Sequence, residues 1–147
     1  MSLQARVEAD LKQAMRAGDA VARDTLRMVL SELKGKQIEI GRDLTPDEEQ
    51  AVCLRAVKTR QESVEQFDKA GRSDLAAKER AEIRVVQAYL PRMMSEEETR
   101  AAVKAVLAEL GAVSKKELGV VMKAVMARHK GQVEGRLAQK ILGEILA

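Results

Sequence analysis

The chain of 147 residues has little of what most folds and active sites are built from: no tryptophan, one tyrosine (Tyr89), one phenylalanine (Phe67), two prolines, one cysteine (Cys53) and one histidine (His129). The scarcity of aromatics, together with few β-branched runs, argues against a sheet. It also argues against RNA recognition by stacking bases on rings. A single cysteine excludes an intramolecular disulfide and suits a reducing compartment. No run approaches the roughly 18 apolar residues of a membrane span, so no membrane partner is expected. The opening stretch MSLQARVEADLKQAM is amphipathic rather than a signal peptide. The expected location is therefore cytoplasmic.

Chemistry is just as sparse. His129 lies between Arg128 and Lys130 and reads as a solvated residue or a phosphate neighbour. No Cys/His/Asp grouping has metal-ligand spacing, and neither G-x-x-x-x-G-K-[ST] nor G-x-G-x-x-G occurs. We expect no metal, no cofactor and no self-sufficient active site. Cys53 falls on an apolar stripe with Val57, Val64 and Phe67, as a core thiol does.

What the chain does have is helix-forming composition and start signals. Hydrophobic residues make up 46% and charged residues 33%, in a sequence rich in Ala, Leu, Glu, Lys and Arg. Ser2 can cap a first helix carrying Leu3, Val7, Leu11, Ala14 and Met15. After Gly18-Asp19 a second helix uses Leu26, Val29, Leu30 and Leu33 and runs out by Gly41. Thr45-Pro46-Asp47-Glu48 is a capping box with proline at the first helical position. That third helix reaches Gly71, and Ser73 can cap a fourth that carries Leu75, Ile83, Val86 and Leu90. Ser95 with Glu98 and Ser114 with Glu117 are two more capping boxes, opening a fifth and a sixth helix; a seventh carries Leu137, Ile141 and Ile145. The reading is all-α: an N-terminal four-helix region (1–91) and a small three-helix tail domain (92–147), hinged near Tyr89-Leu90-Pro91.

Charge is divided unevenly between these parts. Residues 1–91 carry 16 Lys+Arg and 16 Asp+Glu, and residues 92–147 carry 10 and 7. The excess concentrates at Lys123, Arg128, Lys130, Arg136 and Lys140, opposed only by Glu134. Lys116, Lys123 and Lys130 recur every seven residues, which puts them on nearly one stripe of the sixth helix. Arg136 and Lys140 are four apart on the next helix. Gly119 leaves room for a backbone to approach closely. Such a surface suits phosphate contacts, which position a protein on RNA without reading sequence. In the N-terminal part, Arg60 shares its helix side with Cys53, Ala56, Val57, Val64 and Phe67. A guanidinium there needs a carboxylate, and a hairpin around Gly71 would bring up Glu79 or Glu82. Arg60, Arg72 and Glu79 form the candidate polar site of this half.

The stretch Lys58-Thr59-Arg60-Gln61-Glu62-Ser63 … Phe67 … Gly71-Arg72-Ser73-Asp74-Leu75 … Glu79 … Glu82-Ile83 … Tyr89-Leu90-Pro91 resembles the YqeY family. Leu26-Arg27-Met28 and the run Gly119-Val120-Val121-Met122 … Lys130-Gly131 add to the resemblance, which covers essentially the whole length. The family shares its C-terminal portion with the tail of GatB, the B subunit of the glutamine-dependent tRNA amidotransferase. The resemblance implies a two-part helical fold and a tail that touches the tRNA body. Gly119, Met122, Lys130 and Gly131 carry over from the tail motif; Lys116, Lys123, Arg128, Arg136 and Lys140 rest on charge. Any carbon–nitrogen ligase association, with glutamine as amido donor, is inherited through this resemblance. The expected function is a non-catalytic accessory protein that binds tRNA or another structured RNA, with amidotransferase subunits as possible partners. The alternative is a protein-interaction adaptor, which the Met93-Met94 pair would suit.

Overall fold

A computed structural model describes residues 1–112 and 114–146. Among these it contains only helices: α1 (Leu3–Ala17), α2 (Ala20–Ile40), α3 (Pro46–Lys69), α4 (Ser73–Gln87), α5 (Glu96–Leu110), a single 3₁₀ turn (Lys115–Glu117), α6 (Leu118–Arg128) and α7 (Gly135–Ile145). The fold is all-α. None of these helices is long and apolar enough to cross a membrane. The chain divides into two compact units, Met1–Leu90 and Pro91–Ala147.

The first unit holds α1 to α4. Their apolar stripes meet in one core of Val7, Leu26, Val29, Leu33, Cys53, Ala56, Val57, Ile83 and Val86. Side chains finish the helix ends, one of them from a neighbouring helix. Ser2 accepts from the N–H of Ala5 at 3.1 Å, and the buried Glu49 of α3 accepts from the N–H of Gln4 at 2.8 Å. A carboxylate at that helix start satisfies an orphan donor and complements the helix dipole. Thr45 and Glu48 close a reciprocal capping box, and Arg42 grips Glu48 at 2.7 Å. Gly71, at φ +71°, turns α3 into α4, a left-handed conformation that favours glycine. Near the unit's end the Tyr89 hydroxyl donates to the Asp10 carboxylate, and Arg6 stands 5.2 Å over the tyrosine ring. Burial, and then the Asp10 carboxylate, push the Tyr89 phenol pKa upward.

The second unit packs α5, α6 and α7 around Val103, Val106, Leu107, Val121, Val125, Val133, Ala138, Ile141, Leu142 and Leu146. Ser95 and Glu98 form the second reciprocal capping box. Arg100 reaches Glu144 at 3.0 Å, tying α5 to α7, and Arg128 pairs with Glu109 between α6 and α5.

Three local expectations fail. Ser73 is the first residue of α4 rather than its cap; Arg72 holds the cap position, and its side chain makes no capping bond. Ser114 accepts no capping bond, and the segment it precedes is a 3₁₀ turn. The fourth helix stops at Gln87 and does not carry Leu90, because the following Pro91 disfavours helix at that residue.

The Thr45 box gives a prediction. Thr45→Ala is expected to lower stability by about 1 kcal/mol in urea unfolding. The Arg42 guanidinium, followed by hydrogen bonds to Thr45, holds the Glu48 carboxyl at about 2, below its usual 4.5. Its contribution is therefore present above pH 4.5 and disappears as pH falls from 4.5 towards 2. Glu48→Gln is expected to flatten stability across that window.

Candidate functional site

The basic residues of the second unit do not form one helical stripe. Lys116 sits in the 3₁₀ turn, Lys123 on α6, and Lys130 beyond the His129 cap that ends α6. The seven-residue spacing fails because the backbone changes pitch before Leu118 and leaves the helix after Arg128. On α6 itself Gly119, Val120 and Lys123 are exposed, opposite the buried Val121 and Val125. An added Cβ at Gly119 would meet nothing within 4 Å. Arg136 and Lys140 are exposed on α7, opposite Ala138, Ile141 and Leu142. Gly131, at φ +72°, turns the chain between the two helices.

These cations differ in how free they are. Arg128 is engaged by Glu109, which raises its already high pKa and holds the Glu109 carboxyl below its usual range. Lys130 and Arg136 also have interaction partners. Among the described residues, Lys116, Lys123 and Lys140 make no ion pair.

The first unit holds the second candidate. Arg60 is only 5% exposed. Its Nε donates to Glu82 at 3.1 Å, its Nη1 to the Ala56 carbonyl at 3.0 Å, and its Nη2 meets the Met28 sulfur at 3.7 Å. Of the two carboxylates in reach by sequence, Glu82 is the partner. Glu79 and Arg60 line one cavity of about 560 Å³ between α2, α3 and α4. Arg72 is outside it, exposed and bonded to Asp74 at 3.2 and 3.1 Å. Met28 and Glu32 of α2 face the same cavity. Helical periodicity gives no sign of this, because it says which face of α2 is apolar and not which helix stands beside it. Cys53 is fully buried, and burial, followed by Glu32 and Glu49, pushes its thiol to about 11. It is an inert core thiol rather than a nucleophile.

Two outcomes follow. Arg60→Ala leaves the 15%-exposed Glu82 carboxylate without its partner and is expected to cost about 3 kcal/mol in urea unfolding, the low end for breaking a buried pair. The double change Arg60→Met with Glu82→Leu should recover most of that. Cys53 should resist iodoacetamide in the native state. Its stabilising contribution is full below pH 9 and fades as pH rises from 9 to about 11, a loss that Cys53→Ala removes.

The Yqey-like protein family matches residues 4–146 of this chain. The chain is 37% identical over 109 residues to "Altered inheritance of mitochondria protein 41, mitochondrial" of Lachancea thermotolerans, covering 72% of this chain and 58% of that protein. The like-named protein of Eremothecium gossypii is 37% identical over 110 residues, covering 72% and 60%. That of Pyrenophora tritici-repentis is 31% identical over 145 residues, covering 96% and 79%. The chain thus spans about three fifths of the length of the first two relatives. All three are named as mitochondrial. That overturns the cytoplasmic location expected from sequence. The expectation rested on a lone thiol, the lack of an apolar span and an opening stretch unlike a signal peptide, and none of these separates one reducing compartment from another. From the match over nearly its whole length, the chain belongs to the Yqey-like protein family.

Proposed function

We propose that this protein is a helical, non-catalytic accessory factor that binds tRNA, or another structured RNA, through the α6 and α7 surface of its second unit. One observation carries the reading: Lys116, Lys123 and Lys140 stand without ion-pair partners, among the described residues, on a unit with 10 basic and 7 acidic side chains. Lysines held this way keep their full charge for phosphate oxygens and release counterions when they bind. Exposed Gly119 beside Lys123 admits an RNA backbone closely, since no side chain projects there. Recognition of this kind follows shape and charge rather than base identity. Through the GatB-like tail, a working relation to a glutamine-dependent tRNA amidotransferase is part of the proposal.

The wild-type protein is expected to retain unfractionated tRNA in a gel shift at low salt. Lys123→Glu with Lys140→Glu should weaken that by at least about tenfold while leaving the thermal midpoint nearly unchanged. A wild type that retains no tRNA would reject the reading. Gly119 gives a sharper check. Alanine fits the space and the helical backbone there, and should stabilise the unit by up to about 1 kcal/mol. If an RNA backbone approaches that point, the same substitution lowers affinity although the fold is firmer.

A further inference from the structure

The cavity between α2, α3 and α4 is lined by four carboxylates, Glu32, Glu39, Glu79 and Glu82, and three cations, Lys36, Arg55 and Arg60. Lys36 pairs with Glu39 at 3.5 Å, and Arg60 with Glu82 at 3.1 Å. Among the described residues, Glu32, Glu79 and Arg55 make no ion pair. The balance around the opening is therefore acidic.

The Arg60–Glu82 pair at the wall is incomplete. A guanidinium presents five N–H donors in a rigid fork, and its strongest carboxylate pairing uses two of them in parallel. Here one nitrogen meets one oxygen, Nε to Oε2. Nη2 has only the Met28 sulfur, a weak acceptor, at 3.7 Å. Among the described residues the second Glu82 oxygen, Oε1, accepts no hydrogen bond. The side chains are 6% and 15% exposed, and Glu82 Oε1 reaches the solvent of the groove. A group that accepts from Nη2 and donates to Oε1 would complete it. A peptide unit, with a carbonyl and an N–H, does both.

The walls set the length of such a ligand. The α3 wall runs from Val52 to Ser63 and the α2 wall from Met28 to Glu39, each roughly 16 Å of helix. The cavity of about 560 Å³ lies along that length as a groove open to solvent on one side. An extended chain laid along the walls, at about 3.3 Å per residue, spans them with roughly five residues.

We infer that this groove binds an extended, basic peptide segment of a partner protein. One backbone amide bridges Arg60 Nη2 and Glu82 Oε1, and flanking Lys or Arg side chains meet Glu32 and Glu79. Met28 is half exposed, and its flexible thioether swings off Nη2 when the peptide carbonyl takes its place. The backbone contact supplies a fixed register; the two free carboxylates supply the preference for positive side chains.

The test uses the full chain with labelled methionine methyls and arginine Nε–H groups, observed by NMR. The probes are the capped pentapeptide Ac-Lys-Ala-Gln-Ala-Lys-NH2 and its charge-reversed form Ac-Glu-Ala-Gln-Ala-Glu-NH2. The basic peptide is expected to shift the Met28 methyl and the Arg60 Nε–H saturably, with the acidic one at least about tenfold weaker. Glu32→Gln with Glu79→Gln, which leaves the Arg60–Glu82 pair and the core intact, should cost the basic peptide about tenfold. Both resonances unmoved at the solubility limit, equal binding of the two peptides, or an unaffected double variant would each overturn the inference. So would tRNA, rather than peptide, moving the Met28 methyl.

Discussion

A guanidinium buried to within a few per cent of its surface fixes the arrangement of the first unit. Arg60 cannot be stripped of water unless a carboxylate arrives with α4 and a carbonyl waits one turn back on α3. Glu82 and Ala56 meet those needs, and so the hairpin through Gly71 has a fixed pitch and register. The exposed pair Arg80–Asp68, at 2.6 Å, follows the same register, although in water it contributes little. Thr45, Glu48, Ser2 and Glu49 then close helix ends that would otherwise leave orphan N–H groups. The cavity beside α2 is a consequence of that arrangement: α2 covers the core with Leu26, Val29 and Leu33, and its neighbouring face, with Met28, Glu32 and Glu39, borders open space.

The second unit is built by a different rule. Its core is made of aliphatic side chains, and no charge is buried among the described residues. Its ion pairs, Arg100–Glu144 and Arg128–Glu109, lie at the surface and tie α7 and α6 to α5. With no interior demand on them, the lysines of the 3₁₀ turn, α6 and α7 remain on the outside with their charge uncompensated. This is the physical ground for assigning the two units different binding chemistry: phosphate for the second, peptide for the first.

Much of this was legible in the sequence wherever the determinant is local. The boxes at Thr45 and Ser95 depend on residues three apart, and both form. The need of Arg60 for a carboxylate follows from its apolar neighbours, and the short turn at Gly71 narrowed the choice to Glu79 or Glu82. The Ser114 box matches the same pattern, but the chain forms a 3₁₀ turn there, and Ser73 enters its helix instead of capping it. The periodic lysines misled for a related reason: a seven-residue repeat describes a face only while the helix is continuous, and α6 covers just Leu118–Arg128. The cavity was not legible at all, because α2 and α3 line it together and their mutual placement depends on the whole packing. The cellular compartment was misread because composition reports redox conditions rather than address.

The central claim is that the free lysines of the second unit engage RNA phosphates. The salt dependence of tRNA binding by the intact protein tests it most directly. Three phosphate contacts predict that the logarithm of the association constant falls linearly with the logarithm of salt concentration, with a slope of roughly −2 to −3. A slope near zero, with binding that persists unchanged at high salt, would contradict it.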